Sequence, residues 1–396
     1  MGLSRRDAPL GLAPGSVGDW RESARRRLPR QFFDYIDGGA GDEITMRANV
    51  SALAEIAIRQ RVLRDVSERS TATRLLGEDL ALPLILAPVG LAGVYRRRGE
   101  IQAARAASAF GIPFCESTVS ICGVEEVAKA SSRPLWYQLY VMRDRAYAAD
   151  LMARAMSAGV SVLVLTVDLP VVGARYRDWR NGLEGKLGAG ASLRKLCDIA
   201  SHPSWALDVG LLGRPLTFGN LEKAVPGASD PAAFKAWVDA QFDPSVTWAD
   251  LAWVRDNWKG KLLLKGLLDA EDAREAVRRG VDGLDVSNHG GRQLDSAPPV
   301  AKALPAIADA IAGMAGRDFA LLADGGVRSG ADILKYLALG AKAVLVGRPW
   351  AWALAARGEG GVTAILETLK AELGVALALA GERKVADLGR HVLSRL

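Results

Sequence analysis

Short apolar runs recur along the chain, and amphipathic stretches separate most of them. In order the runs are LPLILAP (82–88), IPFCEST (112–118), LWYQLY (135–140), SVLVLTVD (161–168), KLLLKG (261–266), GLDVSN (283–288), FALLADGG (319–326) and AVLVGR (343–348). The stretches EIQAARAASAFG, DRAYAADLMARAMSAG, DAEDAREAVRRG and GADILKYLALG read as helices, and each ends in glycine. Glycine is favoured just past a helix because it enters the left-handed region without strain. Near-continuous apolar strands alternating with helices predict parallel strands buried on both faces. Eight such units predict an α/β fold, a closed (β/α)8 TIM barrel rather than an open sheet.

Two segments stand outside this repeat. A helical pattern, RESARRRLPRQFFDYIDGGAGDE, lies in the first 80 residues, ahead of the first strand. The connection from the fourth to the fifth strand, residues 169–260, far exceeds the usual loop. It predicts a helix and a large insertion, about 176–242. The whole chain, 1–396, reads as a single barrel domain with these two additions.

Composition narrows the classes. With 49% hydrophobic and 24% charged residues, the chain is an ordinary globular protein with ample core. The net charge of +6 is mild, and no basic stripe interleaves with aromatics, so nucleic acid is not an expected partner. The arginines at 25–27 and 96–98 read as solvated surface. Cys115, Cys122 and Cys197 form no CxxC, which argues against a disulfide framework or zinc site and fits a reducing compartment. There is no HxH or HExxH, so no metal site is expected. The first residues lack a signal-peptide core, and no run of 18 apolar residues occurs. A cytoplasmic location is expected, with any membrane contact peripheral.

Chemistry gathers where the apolar runs end. The first run ends at Ala87, Pro88 and Val89, the second at Ser117, the third at Gln138 and Tyr140. The fourth gives Thr166 and Asp168 with Arg175 soon after, and the fifth gives Lys265. The sixth gives Asn288, His289 and Arg292; the last two give Asp324, Gly325, Gly326, Arg328, Gly347 and Arg348. Active sites of such barrels lie at this face. DGGVRSG and GR suit a phosphate, since glycines let backbone N–H groups approach oxygens and two arginines accompany them. No GxGxxG follows a strand, so a mononucleotide such as FMN, or a sugar phosphate, fits better than a dinucleotide. Lys265 inside a barrel needs an electron-rich group or a carboxylate partner. His289 is the candidate general base, with Asp168 to orient it and Arg175 and Arg292 to fork a carboxylate. Tyr140 and Tyr35 add hydroxyls.

These residues fall within motifs of one family. DYIDGGA, LAPVGLAG, STVS, QLYVMRDR, TVDLPVVGARYRD, LLKG, SNHGGRQLD, ADGGVRSG and GRPW resemble the FMN-dependent 2-hydroxy-acid oxidases and dehydrogenases from about Trp20 to near the C-terminus. GARYRD and LAPVGLAGVYRRRGE are most similar to its bacterial L-lactate dehydrogenase branch. The resemblance implies FMN as cofactor and oxidation of an L-2-hydroxy acid, foremost L-lactate to pyruvate. It implies His289 as base, paired with Asp168, and Arg175, Arg292, Tyr35 and Tyr140 as substrate ligands. Lys265 would face the flavin N1/C2 edge. Ser117, Gln138, Thr166 and Ser287, with Ala87, Pro88 and Val89, would hold the ring. Asp324, Gly325, Gly326, Arg328, Gly347 and Arg348 would hold the ribityl chain and phosphate. A homotetramer is implied as well.

Three positions depart or discriminate. Val119 stands where several oxidases of the family carry Trp. Glu116 and Asp285 fall where apolar residues are expected, and each carboxylate needs a partner or a raised pKa. Only three histidines occur, none before residue 202, so no fused haem domain is expected. Electrons then pass to a quinone, another carrier or oxygen. Trp179, Trp205, Trp237 and Trp248 in and around the insertion read equally as membrane-interface residues or as packing over the barrel. Six basic against eight acidic residues in 181–250 give no electrostatic pull toward anionic lipid. Mandelate or glycolate as substrate, a flavin-dependent isomerase, and a phosphate-ligand binding protein are the rival readings.

Overall fold

The computed structural model describes residues 13–183, 188–214, 216–222 and 240–394. Eight parallel strands form the barrel: β3 (Leu84–Leu86), β4 (Cys115–Ser117), β5 (Trp136–Tyr140), β6 (Val162–Thr166), β7 (Lys261–Leu267), β8 (Gly283–Val286), β9 (Ala320–Ala323) and β10 (Ala343–Val346). Their order is β3-β10-β9-β8-β7-β6-β5-β4, and a parallel bridge between Leu86 and Phe114 closes the ring. Ahead of them, β1 (Thr73–Leu75) and β2 (Glu78–Leu80) make a hairpin. Its Leu75 and Leu80 pack on the barrel's inner residues, among them Ile85, Val164, Leu263 and Leu345. Alternate strand residues such as Leu86, Leu163 and Leu284 join the helices in the larger outer core.

All eight apolar runs become strands, but most ladders stop short of the run. SVLVLTVD pairs only over Val162–Thr166, and GLDVSN only over Gly283–Val286. The remaining residues turn out of the ladder at the carboxyl rim. The expected helices occur at Gly99–Phe110, Arg145–Ser157, Ala270–Arg278 and Gly330–Ala338.

The N-terminal helical pattern divides. Val17–Arg27 and Arg30–Asp37 are separate helices, because Pro29 has no N–H to continue the first. A third helix, Ile44–Glu55, follows. After β10 the chain runs through Arg348–Ala380, two helical pieces meeting at a kink where Gly358 takes φ +62°. None of the helices among the described residues is long and apolar enough to cross a membrane.

The insertion holds helices Tyr176–Arg180 and Ala189–Ala200, then Pro203–Trp205 leading into a π-helical turn, Ala206–Leu211. The tryptophans there do not act alike. Trp205 is buried, stacks on Phe32 at 4.9 Å and donates to the Val94 carbonyl, whereas Trp179 is exposed. Trp248 packs half-buried against the core, and Trp237 lies outside the described residues. The arginine clusters are not simply solvated surface. Arg27 and Arg96 both pair with Asp208 of the insertion at 3.2 Å, and Arg98 pairs with Glu126. A shared carboxylate on the insertion holds Arg27 and Arg96, while Arg25, Arg26 and Arg97 remain exposed.

Asn220 ties the insertion to the barrel. Its side chain donates to the Glu116 carboxyl and the Ser117 carbonyl, both at 3.3 Å, and accepts from the Val124 N–H at 2.8 Å. Its own carbonyl takes the Tyr147 hydroxyl and Arg154. Glu116 is thus the expected buried carboxylate, and its partner is a neutral amide. Burial, then the nearby Glu100, push its pKa well above the usual carboxylate range. A carboxyl raised in this way is fully tolerated below the unfolded-chain value and destabilises the fold progressively as pH rises above it. Glu116→Gln is therefore expected to match the parent near pH 4.5 and to be the more stable of the two at pH 8, by a margin that grows as pH rises. Denaturant melts at the two pH values check this; a pH-independent difference would contradict it.

Candidate active site

The carboxyl ends of the strands open into a cavity of about 130 Å³. The chain beyond β8 makes its sharpest feature. His289, Gly290 and Gly291 take φ +58°, +64° and +76° in succession. Such values strain most side chains but not glycine, and a Cβ at Gly291 would stand 2.5 Å from the Met46 nitrogen. The Ser287 hydroxyl accepts the His289 N–H at 3.0 Å and braces the turn. The imidazole is thereby swung to the cavity wall with Nδ1 3.0 Å from Asp168 Oδ1. Asp168 reaches this point because β7 bulges at Gly266, where any Cβ would meet the Asp168 Cβ at 2.5 Å. Gln293 holds the Asp168 carbonyl at 3.0 Å.

Two guanidinium groups flank Tyr35 beside this pair. Arg292 lies 4.9 Å from its ring centroid and Arg175 5.9 Å, an arrangement that orients planar cations. Arg292 Nη1 also donates to the Tyr35 and Gly38 carbonyls, at 2.6 and 2.9 Å. Tyr140 completes this side of the wall, edge-on to Phe242 at 5.1 Å. Burial, and then Asp168, push its phenol above the ordinary range, so it remains protonated.

The wall also carries Gly325, Gly326, Arg328, Gly347 and Arg348. Gly325 and Gly326 have φ +86° and +83°, and a Cβ on Gly326 would meet the Asn49 carbonyl at 2.4 Å. Arg348 donates to Gly290 and Gly38 carbonyls; Arg328 lies 5.0 Å over Trp352. Burial lowers the pKa of Arg328 to about 10 and of Arg348 to about 9, the latter helped by Arg292 and Arg328. Burial, and then Arg175, lower Arg292 too. Cations held this way gain from an anion brought among them.

Ala87, Pro88 and Val89 line the cavity, as do Lys265 and Asp324. Ser117, Gln138, Thr166 and Ser287 are buried and do not line it. Ser117 donates to Gln138 Oε1 at 3.2 Å, while Gln138 Nε2 and Thr166 Oγ1 find no partner among the described residues. Lys265 does have carboxylate partners. Its Nζ donates to Asp285 Oδ2 at 2.8 Å, Ser287 Oγ at 2.7 Å and Asp324 Oδ2. Asp324 therefore spends one oxygen on an ion pair. Burial opposes the Lys265 charge, yet Asp285 and Asp324 outweigh it and hold the ammonium charged.

Sequence reasoning passed over Tyr95, whose ring lines the cavity and whose hydroxyl donates to the Gly90 carbonyl at 3.1 Å. It follows the first strand's rim loop, in GLAGVY, which was the available signal. The other histidines lie elsewhere: His202 bonds its own loop at the Asp198 carbonyl, and His391 pairs with Glu382.

A barrel that collects guanidinium groups, an imidazole–carboxylate pair and unpartnered buried donors at one rim is built for anionic ligands and acid–base chemistry. The donor set also fits a phosphate-bearing flavin, with Arg328, Arg348 and glycines on the cavity wall and the Gln138 amide nitrogen and Thr166 hydroxyl buried without a partner among the described residues. The model of the FMN-dependent dehydrogenase family matches residues 24–395, and the chain belongs to that family; its cofactor is FMN. An L-lactate dehydrogenase of Caulobacter vibrioides is 56% identical over 379 residues, covering 96% of this chain and 97% of that one. One of Stenotrophomonas maltophilia is 53% identical over 378 residues, covering 96% and 98%. Among solved structures, the monotopic membrane protein (S)-mandelate dehydrogenase superposes with TM-score 0.89 at 38% identity, covering 97% of this chain and all of that one. Mandelate oxidase gives 0.81 at 38%, covering 96% and 98%.

If the crowded cations seek an anion, millimolar inorganic phosphate will raise the melting temperature of the FMN-free chain, since a ligand of the folded state stabilises it by mass action. Arg348→Met is expected to cut that gain by half or more. Equal gains in parent and variant would count against an anion site there.

Proposed function

We propose that this chain oxidises L-lactate to pyruvate, with His289 as the base. The observation that carries this is the His289–Asp168 contact of 3.0 Å beside Arg175 and Arg292 on the same cavity wall. Asp168 holds Nδ1 and stabilises the imidazolium, which leaves Nε2 to take a proton from the substrate. Arg292, fixed by two backbone carbonyls and the Tyr35 ring, and Arg175 bind the substrate carboxylate in a fork. Tyr140, which keeps its proton, donates a hydrogen bond to the substrate oxygen. FMN, when bound, takes up the electron pair. Arg328, Arg348 and the glycines at 325, 326 and 347 hold its phosphate. Ala87, Pro88, Val89, Ser117, Gln138, Thr166, Ser287 and Lys265 hold the ring, and Asp324 the ribityl chain. Lactate is favoured over mandelate because the lactate relatives are 53–56% identical and the mandelate structures 38%.

The surface supports a reading of the acceptor. Trp179, Leu193, Leu196, Leu207, Leu211 and Leu212 are all exposed on the insertion, each more than half its area. Exposed leucines at this density signal an interface rather than a solvent loop. We infer that this surface docks on a bilayer, from the cytoplasmic side, and that a membrane quinone takes the electrons. The monotopic membrane character of the mandelate dehydrogenase supports this. The chain is read as one FMN-binding barrel unit working as a homotetramer.

Two outcomes are expected. Anaerobic mixing with L-lactate will bleach the flavin faster than L-mandelate or glycolate, and His289→Gln will keep FMN but slow the bleaching about a thousandfold. Near-parental reduction in that variant would remove His289 as base. Replacing Leu193, Leu196 and Leu211 with Ser will move the protein from vesicle-bound to soluble in flotation assays while reduction by lactate persists. Unchanged flotation would refute the docking surface.

A further inference from the structure

The barrel interior holds a charge that the proposed reaction does not use. Asp285 is the third residue of β8 and stands among inner-facing residues that are otherwise apolar, such as Ile85, Val164, Leu263 and Leu345. It is 1% exposed and does not line the cavity. Its Oδ2 accepts from Lys265 Nζ at 2.8 Å, and its Oδ1 has no partner among the described residues. Lys265 and Asp285 are register partners on the adjacent strands β7 and β8, so the pair is built into the sheet itself. Asp324 meets the same Nζ from just past β9, and Ser287 takes the third N–H. One ammonium thus serves two carboxylates, and all three of its protons point at protein groups. Neutralising Lys265 would have needed only Asp324, which lies at the cavity wall. A second carboxylate behind it, costly to bury, calls for a use.

We propose that Asp285 is a positioning residue that sets the electron affinity of the flavin through Lys265. It draws part of the ammonium's field inward, away from the cavity, and fixes Nζ at the depth of the β7–β8 ladder. With Asp285 charged, a flavin over Lys265 gains less help in accepting negative charge, and its reduction potential lies lower than Lys265 and Asp324 alone would give. The inference rests on the reading that Lys265 faces the flavin ring. The groups facing Asp285 are Lys265 on β7, Ser287 just past β8, Asp324 after β9, Asp168 in the rim loop after β6, Cys115 on β4 and Tyr336 on the helix Gly330–Ala338. Burial raises the Asp285 carboxyl, Lys265 opposes, and Asp324 adds to the rise, leaving it at about 7. The carboxylate is then charged at pH 8.5 and largely neutral at pH 6, so its effect on the flavin fades as pH falls.

The test uses the FMN-loaded protein, its loading verified by absorbance. Midpoint potentials by dye equilibration and sulfite affinity by flavin bleaching are compared for parent, Asp285→Asn, Asp285→Leu and Lys265→Met. At pH 8.5, Asp285→Asn is expected to bind sulfite about tenfold more tightly and to show a potential about 30 mV higher, the two-electron equivalent of tenfold. The gap should shrink to less than twofold at pH 6, where sulfite speciation cancels because parent and variant share the buffer. Asp285→Leu, which removes the carboxylate outright, should give a gain in the same direction if Asn packs poorly. If Lys265→Met weakens sulfite binding but neither Asp285 variant shifts it, this inference is wrong. If Lys265→Met also has no effect, the seat of the flavin over Lys265 is wrong instead. A gap that stays constant with pH would show a packing change and overturn the electrostatic role.

Discussion

Four guanidinium groups, those of Arg175, Arg292, Arg328 and Arg348, share one cavity wall. Burial lowers the pKa of three of them, and repulsion from neighbouring guanidinium groups adds to it, from Arg175 on Arg292 and from Arg292 and Arg328 on Arg348. The fold meets the cost only in part. Arg292 and Arg348 lean on backbone carbonyls, of which Gly38 serves both, and Arg328 leans on an indole ring. Carbonyl and ring contacts orient a cation but carry no net charge. Two anions would relieve the strain, and the family cofactor with a 2-hydroxy acid would supply a phosphate and a carboxylate. The excess of positive charge, more than any single side chain, makes this rim an anion-seeking surface.

That charge can be gathered only because the backbone at the rim is unusual. Positive φ at His289, Gly290, Gly291, Gly325 and Gly326 turns two strand ends sharply and packs them against Met46 and Asn49 of the third N-terminal helix. Asn49 and Asn288 exchange reciprocal amide hydrogen bonds at 2.8 and 2.9 Å, and Asp295 takes the N–H groups of Asp42 and Thr45. The N-terminal segment therefore acts as a clamp on the β8 and β9 loops. Tyr35 and Gly38, whose carbonyls hold the arginines, arrive on that same segment. Its helices belong to the site as much as the strands do.

Much of this was legible in the chain. Eight apolar runs give eight strands, because a parallel sheet covered on both faces leaves few polar positions inside a strand. The rim residues were legible for the same reason, since Asp168, His289, Arg328 and Arg348 interrupt or follow runs that tolerate no charge in the ladder. Less legible were partners distant in sequence. Arg27 and Arg96 read as surface because nothing local marks Asp208 as their shared carboxylate. Glu116 could be flagged as misplaced, but its partner Asn220 sits in the insertion, where no periodicity fixes a position. The split of the tryptophans into a buried Trp205 and an exposed Trp179 depends on how the insertion folds back over Phe32 and Val94.

Lys265 and Asp285 make the contrast clear. Each is an anomaly alone, a charge in an apolar run, and the sequence offers a ligand or a carboxylate for the first and leaves the second open. Once the order of parallel strands is known, the two anomalies become one feature, because matching positions on β7 and β8 sit side by side. In a parallel barrel, consecutive strands are neighbours, so two misplaced charges on consecutive apolar runs are candidates for a cross-strand pair. Glu116 has no such counterpart on β3 or β5, where its register neighbour is Tyr137. Its outward side chain had to be met by a helix or loop, and an amide from the insertion met it. Register thus separates charges that the sheet resolves internally from charges that anchor something laid over it.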